Sequence, residues 1–165
     1  FAGSRRRQEI LGEEGGVLFM DDYGHHPTAI RATLGGLREF YPRRRIIVSF
    51  MSHTYTRTAA LLDEFAASLL GADMAFLHKI YGSARERYSG GVNGLSLFEK
   101  TKAAFEKEKG SPGQVYYTEE PEDAEETLAG LLREGDLFIT LGAGDNWRLG
   151  QKLLARWKAK PGAAK

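Results

Sequence analysis

From Val17 onward, short β-branched or aromatic runs alternate with longer segments whose apolar residues recur at helical spacing. This alternation predicts a mainly parallel sheet covered by helices on both faces, since strands that run the same way need helical crossovers between them. Five strands are expected, roughly Val17 to Asp22, Arg45 to Met51, Met74 to Ile80, Gln114 to Thr118 and Asp136 to Leu141. Their partner helices are expected over roughly Pro27 to Tyr41, Thr58 to Leu70, Leu95 to Lys109, Pro121 to Arg133 and Trp147 to Lys158. Leu61, Leu62, Phe65, Leu69 and Leu70 mark the buried side of the second helix. Pro27 suits a first helical turn, where a missing N–H costs nothing, and Gly71 and Gly110 suit helix ends that need positive φ. Ahead of these units, Arg6 to Leu11 followed by Gly12-Glu13-Glu14-Gly15-Gly16 reads as an extra strand returning through a hairpin. It adds one antiparallel edge strand to the α/β sheet.

Composition narrows this picture. A chain of 165 residues that is 42% hydrophobic can bury one substantial core, so one domain is expected over 1–165, with 159–165 as a frayed tail. Twenty-three Lys plus Arg against 22 Asp plus Glu give a formal charge of +1, which offers nucleic acid or an anionic membrane no general footprint. Without cysteine there is no disulfide, thiolate metal site or cysteine nucleophile, and the chain suits a reducing cytoplasm. No apolar run approaches the roughly 20 residues that span a bilayer, and Phe1-Ala2-Gly3-Ser4-Arg5-Arg6-Arg7 lacks the apolar stretch of a signal peptide. The start without Met suggests a piece of something longer.

Ligands of open parallel sheets bind beyond the carboxyl ends of the strands. There the first strand runs into Asp21-Asp22-Tyr23-Gly24-His25-His26-Pro27, and the second into Ser52-His53-Thr54-Tyr55-Thr56-Arg57. The third carries His78 and continues into Lys79-Ile80-Tyr81-Gly82, and the last ends in Gly142-Ala143-Gly144-Asp145-Asn146. All four histidines therefore gather near one edge of the sheet. Each residue also has an ordinary structural reading. Asp22 can close an Asx turn, His25 or His26 can cap or pack, and His78, inside an apolar strand, reads as a satisfied core or rim histidine. Arg43-Arg44-Arg45 is most simply a solvated turn. Arg57, at the expected start of a helix, opposes the helix dipole and is easier to understand beside an anion. No Gly-x-x-x-x-Gly-Lys-Ser/Thr loop occurs, so a nucleotide triphosphate would be held mainly elsewhere.

Asp21-Asp22-Tyr23-Gly24-His25-His26-Pro27-Thr28 closely resembles a motif of the Mur ligases, specifically of those that join L-alanine to UDP-N-acetylmuramate. The resemblance extends through Phe1-x-Gly3-x-x-Arg6-Arg7, His53-x-Tyr55-Thr56-Arg57-Thr58, Ala72-Asp73, Ile80-Tyr81, Gly135-Asp136-Leu137 and Gly142-Ala143-Gly144, in family order. It implies a Rossmann-like C-terminal domain of a three-domain cytoplasmic enzyme of peptidoglycan precursor synthesis, inactive alone. The other two domains would bind the UDP-sugar and carry the phosphate loop with its Mg²⁺ ligands. ATP would phosphorylate the muramate carboxylate, and the amine of L-alanine would attack the acyl phosphate as this domain closes over the nucleotide. Residue by residue, the resemblance assigns Arg7 to the ATP phosphates, Asp22 to the ribose and Tyr23 to a place beside the adenine. His25, His53 and Arg57 fall around the incoming alanine, where a guanidinium could hold the α-carboxylate. None is a nucleophile or metal ligand; positioning is the expected contribution.

The chain departs from the family pattern at Met51-Ser52-His53-Thr54, where Gln-Pro-His-Arg is usual, so one customary arginine is missing. Ala29 stands where Glu is usual, and Ala29-Ile30-Arg31-Ala32-Thr33 resembles the sister ligase that recycles a murein tripeptide. Two further classes are consistent with the residues. A metal-dependent phosphoesterase would use Asp21, Asp22, His25, His26 and His53 as ligands, and a noncatalytic module would bind nucleotide without partner domains.

Overall fold

The computed structural model describes residues 6–86, 88, 90–110 and 114–159. Phe1 and Gly3 of the upstream motif, and the tail expected beyond Ala159, lie outside them. The strands are β1 (Glu9–Glu14), β2 (Val17–Asp22), β3 (Arg45–Met51), β4 (Met74–Leu77), β5 (Val115–Tyr117) and β6 (Asp136–Gly142). The α-helices are α1 (Pro27–Phe40), α2 (Tyr55–Ala60), α3 (Leu62–Ser68), α4 (Gly94–Lys109), α5 (Glu125–Leu131) and α6 (Trp147–Lys158). Single 3-10 turns at Leu69–Gly71 and Pro121–Ala124 extend α3 and precede α5. The sheet has six strands in the order β1-β2-β6-β3-β4-β5; β1 runs antiparallel to β2, and the other pairs are parallel. β6 is last in sequence yet lies between β2 and β3, and this sets the ends of the first two crossover units side by side around a central loop.

Alternation along each strand builds two cores. Leu18, Met20, Ile46, Val48, Phe50, Leu137 and Ile139 face Ile30 and Leu34 of α1, Phe65 of α3 and Leu97 and Phe105 of α4. Val17, Phe19, Ile47, Phe76 and Phe138 face Leu128 of α5 and Leu149, Leu153 and Trp157 of α6. Burying each large apolar side chain stabilises by about 1.5–3 kcal/mol, which is why sequence period and observed face agree so closely.

Some boundaries move. The strand expected over Arg6 to Leu11 lies later, at Glu9–Glu14, because the reversal uses only Gly15 and Gly16, with φ of 55° and 73°. A two-residue hairpin turn needs positive φ at both centres, and only glycine accepts that freely. The second helix starts at Tyr55 instead of Thr58 and breaks at Leu61, where φ is −123° and ψ is 28°. Gly110 does cap α4 at φ 65°. Gly71 ends its turn for a different reason than positive φ: an added Cβ would lie 2.9 Å from the Leu34 Cβ, so it is needed for close packing. The arginine run is not simply a solvated turn. Arg43 is exposed, but Arg44 donates to the Gly16 and Asp136 carbonyls at 3.0 and 3.1 Å. Arg45 grips the buried Asp136 carboxylate through two donors at 3.0 and 2.7 Å, which raises the pKa of its guanidinium.

Candidate functional site at the carboxyl edge

Neighbouring residues of a strand point to opposite faces, so Asp21 and Asp22 have separate fates. Asp21, buried, accepts from Arg6 Nε at 2.8 Å and from the Thr140 hydroxyl at 2.7 Å. Arg6 then reaches across β2 and donates to the Gly142 and Gly144 carbonyls at 2.8 and 3.2 Å, while its guanidinium lies 5.4 Å from the centre of the Tyr23 ring. Arg6 thereby ties the entry of the hairpin to the loop after β6. Asp22 points into a cleft of about 440 Å³ lined by Arg7, Tyr23, His25, His26 and Ala29 among others. Its two oxygens accept the Gln8 and Gly24 amides, each at 2.7 Å. The Gly24 bond is the Asx turn that the sequence allows. A carboxylate offers about four lone-pair positions, so two remain for a ligand hydroxyl. Arg7 is exposed on the rim of this cleft.

From the cleft a line of rings crosses the edge. Tyr23 and His25 lie 4.9 Å apart, His25 and His53 6.3 Å, and His53 and Tyr81 5.8 Å. His25 Nδ1 must carry a proton, since its partner at 3.0 Å is the Tyr23 carbonyl. His26 caps α1, accepting from the Thr28 amide at 3.3 Å. Burial, the Arg57 cation and then His25 hold the His53 imidazole below its ordinary pKa, so it is neutral near pH 7.

His53 belongs to a tightly determined turn. It bridges Tyr81 in parallel fashion, the Thr54 amide donates to the Tyr81 carbonyl at 3.0 Å, and the Tyr81 amide donates to the Ser52 carbonyl at 2.8 Å. Thr54 itself has φ 68°, a left-handed conformation that costs a β-branched residue energy and persists only where surroundings enforce it. Arg57 is the third residue of α2 and so lies in its first turn, as the sequence suggested, but the anion at the start of that helix is internal. Glu86 accepts the Tyr55 and Thr56 amides, each at 2.8 Å. What singles out Arg57 is different: its Nη1 is buried and has no hydrogen-bond partner among the described residues.

Two remaining features are structural. His78 is 1% exposed; its Nδ1 lies 3.0 Å from the Thr118 hydroxyl and its Nε2 2.8 Å from the Ser49 hydroxyl. Burial pushes its pKa down to about 4, so it is a satisfied neutral core histidine. Gly142, at φ 128°, lets β6 pass the Met51 carbonyl, which an added Cβ would approach to 2.2 Å. Among the described residues no group of three or more His, Cys, Asp or Glu converges as a metal site, and the diverging Asp21 and Asp22 leave the phosphoesterase reading without its ligand set. Nor is any helix among them long and apolar enough to cross a membrane.

The structure thus brings Arg7, Asp22, Tyr23 and His25 to one cleft and His53 and Arg57 to an adjoining turn. Sequence reasoning passed over Arg6 and Tyr81, although both stand in motifs it used, and over Glu86, for which no local signal exists.

A mainly parallel α/β sheet with a polar cleft at its carboxyl edge defines an open-sheet α/β domain whose strand-end loops gather around that cleft. The chain belongs to the Mur ligase family, since the model described as "Mur ligase, glutamate ligase domain" matches residues 6–144. A UDP-N-acetylmuramate–L-alanine ligase of Treponema pallidum (strain Nichols) is 58% identical over 158 residues, covering 96% of this chain and 31% of that protein. The chain therefore spans about a third of the length of the curated relatives it matches. Two solved structures share the fold: a UDP-N-acetylmuramate–alanine ligase from Thermotoga maritima (TM-score 0.71, 22% identity, 93% of this chain and 30% of that one) and a murein peptide ligase from Psychrobacter arcticus (0.72, 24%, 98% and 32%).

Proposed function

We propose that residues 1–165 are one domain, the C-terminal domain of an ATP-dependent UDP-N-acetylmuramate:L-alanine ligase of peptidoglycan precursor synthesis. The observation that carries this reading is the buried Arg57 Nη1, without a hydrogen-bond partner among the described residues, an anion-seeking group near the neutral His53 imidazole, which in turn lies 6.3 Å from the His25 ring. The name of the 58% identical relative supplies the substrate.

In this reading the α-carboxylate of L-alanine completes the hydrogen bonding of Arg57, and His25 and His53 flank the amine so that it is aimed at the activated carboxylate. Tyr23 offers a ring for the adenine, Asp22 its free lone pairs for a ribose hydroxyl, and Arg7 a charge that reaches the phosphates when the domain closes. The cleft volume and these donors and acceptors fit a nucleotide. ATP supplies the phosphoryl group that activates the muramate carboxylate. Mg²⁺ and the UDP-sugar would be held by the other domains of such a ligase. A cytoplasmic setting follows from the ATP requirement. The tripeptide-recycling alternative rests on Ala29 to Thr33, of which Ala29, Ala32 and Thr33 line the nucleotide cleft and lie apart from Arg57 in the argument for amino-acid binding.

In the full-length enzyme, phosphate release from ATP should require both UDP-N-acetylmuramate and L-alanine. Arg57→Ala should raise the KM for L-alanine about tenfold, the loss of one charge-assisted hydrogen bond, with the KM for ATP little changed. Equal weakening of both substrates, or turnover that prefers a tripeptide to L-alanine, would sink the reading.

A further inference from the structure

We propose that Glu86 is a positioning residue for the amino-acid site: its carboxylate grips the start of α2 and so fixes the turn that carries His53 and Arg57. This rests on the ligase reading and extends it to a residue outside every motif that the sequence displays.

Glu86 lies in the loop between β4 and α4, remote in sequence from the residues that it holds. Oε2 accepts the Tyr55 amide at 2.8 Å, and Oε1 accepts both the Thr56 amide at 2.8 Å and the Thr56 hydroxyl at 2.5 Å. The first amides of a helix have no partner within the helix, and a carboxylate there also meets the positive end of the peptide dipoles. Here those two amides belong to the residues immediately before Arg57. The Thr56 hydroxyl and amide, in turn, keep the Glu86 carboxyl below its usual pKa, so the grip is ionised at neutral pH.

The turn needs such a grip. Thr54 is held at φ 68°, and α2 is only six residues long, too short to stand without outside partners. Its other anchors include the Thr54 amide to the Tyr81 carbonyl, the Thr54 hydroxyl, which accepts the Arg57 amide at 3.4 Å, and the Thr58 hydroxyl, which donates to the Thr54 carbonyl at 2.7 Å and lies 3.2 Å from Ser52 Oγ. These fasten the turn through Ser52, Thr54, Arg57 and Thr58. Glu86 alone, among the described residues, fastens Tyr55 and Thr56 by their amides. Without it the backbone just before Arg57 is free to relax from the strained turn, and the guanidinium loses its aim while remaining chemically intact. The Tyr55 and Tyr88 rings, 4.9 Å apart, keep the same loop against α2 from outside.

The test uses the full-length ligase. Glu86→Ala should raise the KM for L-alanine about tenfold, comparable to losing the Arg57 contact, while the KM for ATP stays within about twofold. Glu86→Gln, which keeps one acceptor oxygen but presents an amide NH₂ to a backbone N–H, should fall between. In an Arg57→Ala background, Glu86→Ala should add nothing, because both act through one contact. Thr56→Val removes only the hydroxyl bond and should shift the L-alanine KM slightly in the same direction; it serves where Glu86→Ala does not fold. An unchanged L-alanine KM in folded Glu86→Ala or Glu86→Gln, an equal rise in both KM values, or full additivity with Arg57→Ala would overturn the proposal. A wild-type enzyme that uses another amino acid overturns the alanine reading alone, and the KM for that amino acid then decides the role of Glu86.

Discussion

Asp22 closes the Asx turn that the sequence allows and still lines the cleft. Its oxygens hold the Gln8 and Gly24 amides, and its unused lone pairs face the cleft beside Tyr23. Removing it leaves two amides without their acceptor at a position only 7% exposed. Asp22→Ala should therefore lower the unfolding free energy by about 1–3 kcal/mol, measured by urea titration, in addition to any effect on ATP use. A variant as stable as wild type would show that water replaces both bonds and that Asp22 has no structural duty. The same doubling separates Arg6 from Arg7. The adjacent arginines read alike in sequence, yet Arg6 is engaged with Asp21, Gly142 and Gly144 while Arg7 stays exposed at the rim. What differs is the φ of 61° at Arg6, which turns one side chain inward across β2 and leaves the next outside.

At the scale of the element, strand ends matter more than strand middles. β6 and β3 pair through Met51 and Gly142, and the chain then leaves the sheet at φ 128° to form the loop that Arg6 holds. Gly142→Ala would place a Cβ against the Met51 carbonyl in a backbone conformation that alanine avoids, so it should cost more than about 2 kcal/mol. Gly35→Ala is the natural comparison. That glycine lies within α1 with open space around it, and alanine there should stabilise by about 0.5–1 kcal/mol through helix propensity. Denaturant unfolding of both variants checks the contrast, and similar effects of the same sign would mean that the close approach at Gly142 is readily relieved. α2 shows why its boundary escaped the sequence. Helical period is carried by Leu61 to Leu70, whereas the start at Tyr55 depends on Glu86, a partner that no local pattern announces.

Across the whole molecule, the fold holds one uncharged imidazole at its centre, and this ties stability to pH. His78 titrates near its ordinary value of 6.5 when unfolded but at about 4 when folded. Below pH 6.5 the unfolded chain gains a proton that the folded one refuses, so stability is complete above that pH and falls steadily as pH drops toward 4, by roughly 3 kcal/mol. His53, also held below its ordinary value, tilts the balance the same way. Urea unfolding between pH 4.5 and 7.5 should show this slope, and His78→Gln should flatten most of it; an unaltered slope would assign the acid sensitivity to other groups. The sequence alone determined the α/β class, the parallel strands, the antiparallel edge and the gathering of chemistry at one sheet edge. Those features follow from hydrophobic period and strand direction, which each segment carries locally. Only the tertiary structure decided that Arg44 and Arg45 anchor Asp136 and its neighbours, that Asp21 and Asp22 part company, that Ser49 and Thr118 are the partners of the core His78 and that Glu86 grips Tyr55 and Thr56. A charged side chain carries no period of its own; its partner is fixed only when distant strands and loops come within hydrogen-bond reach.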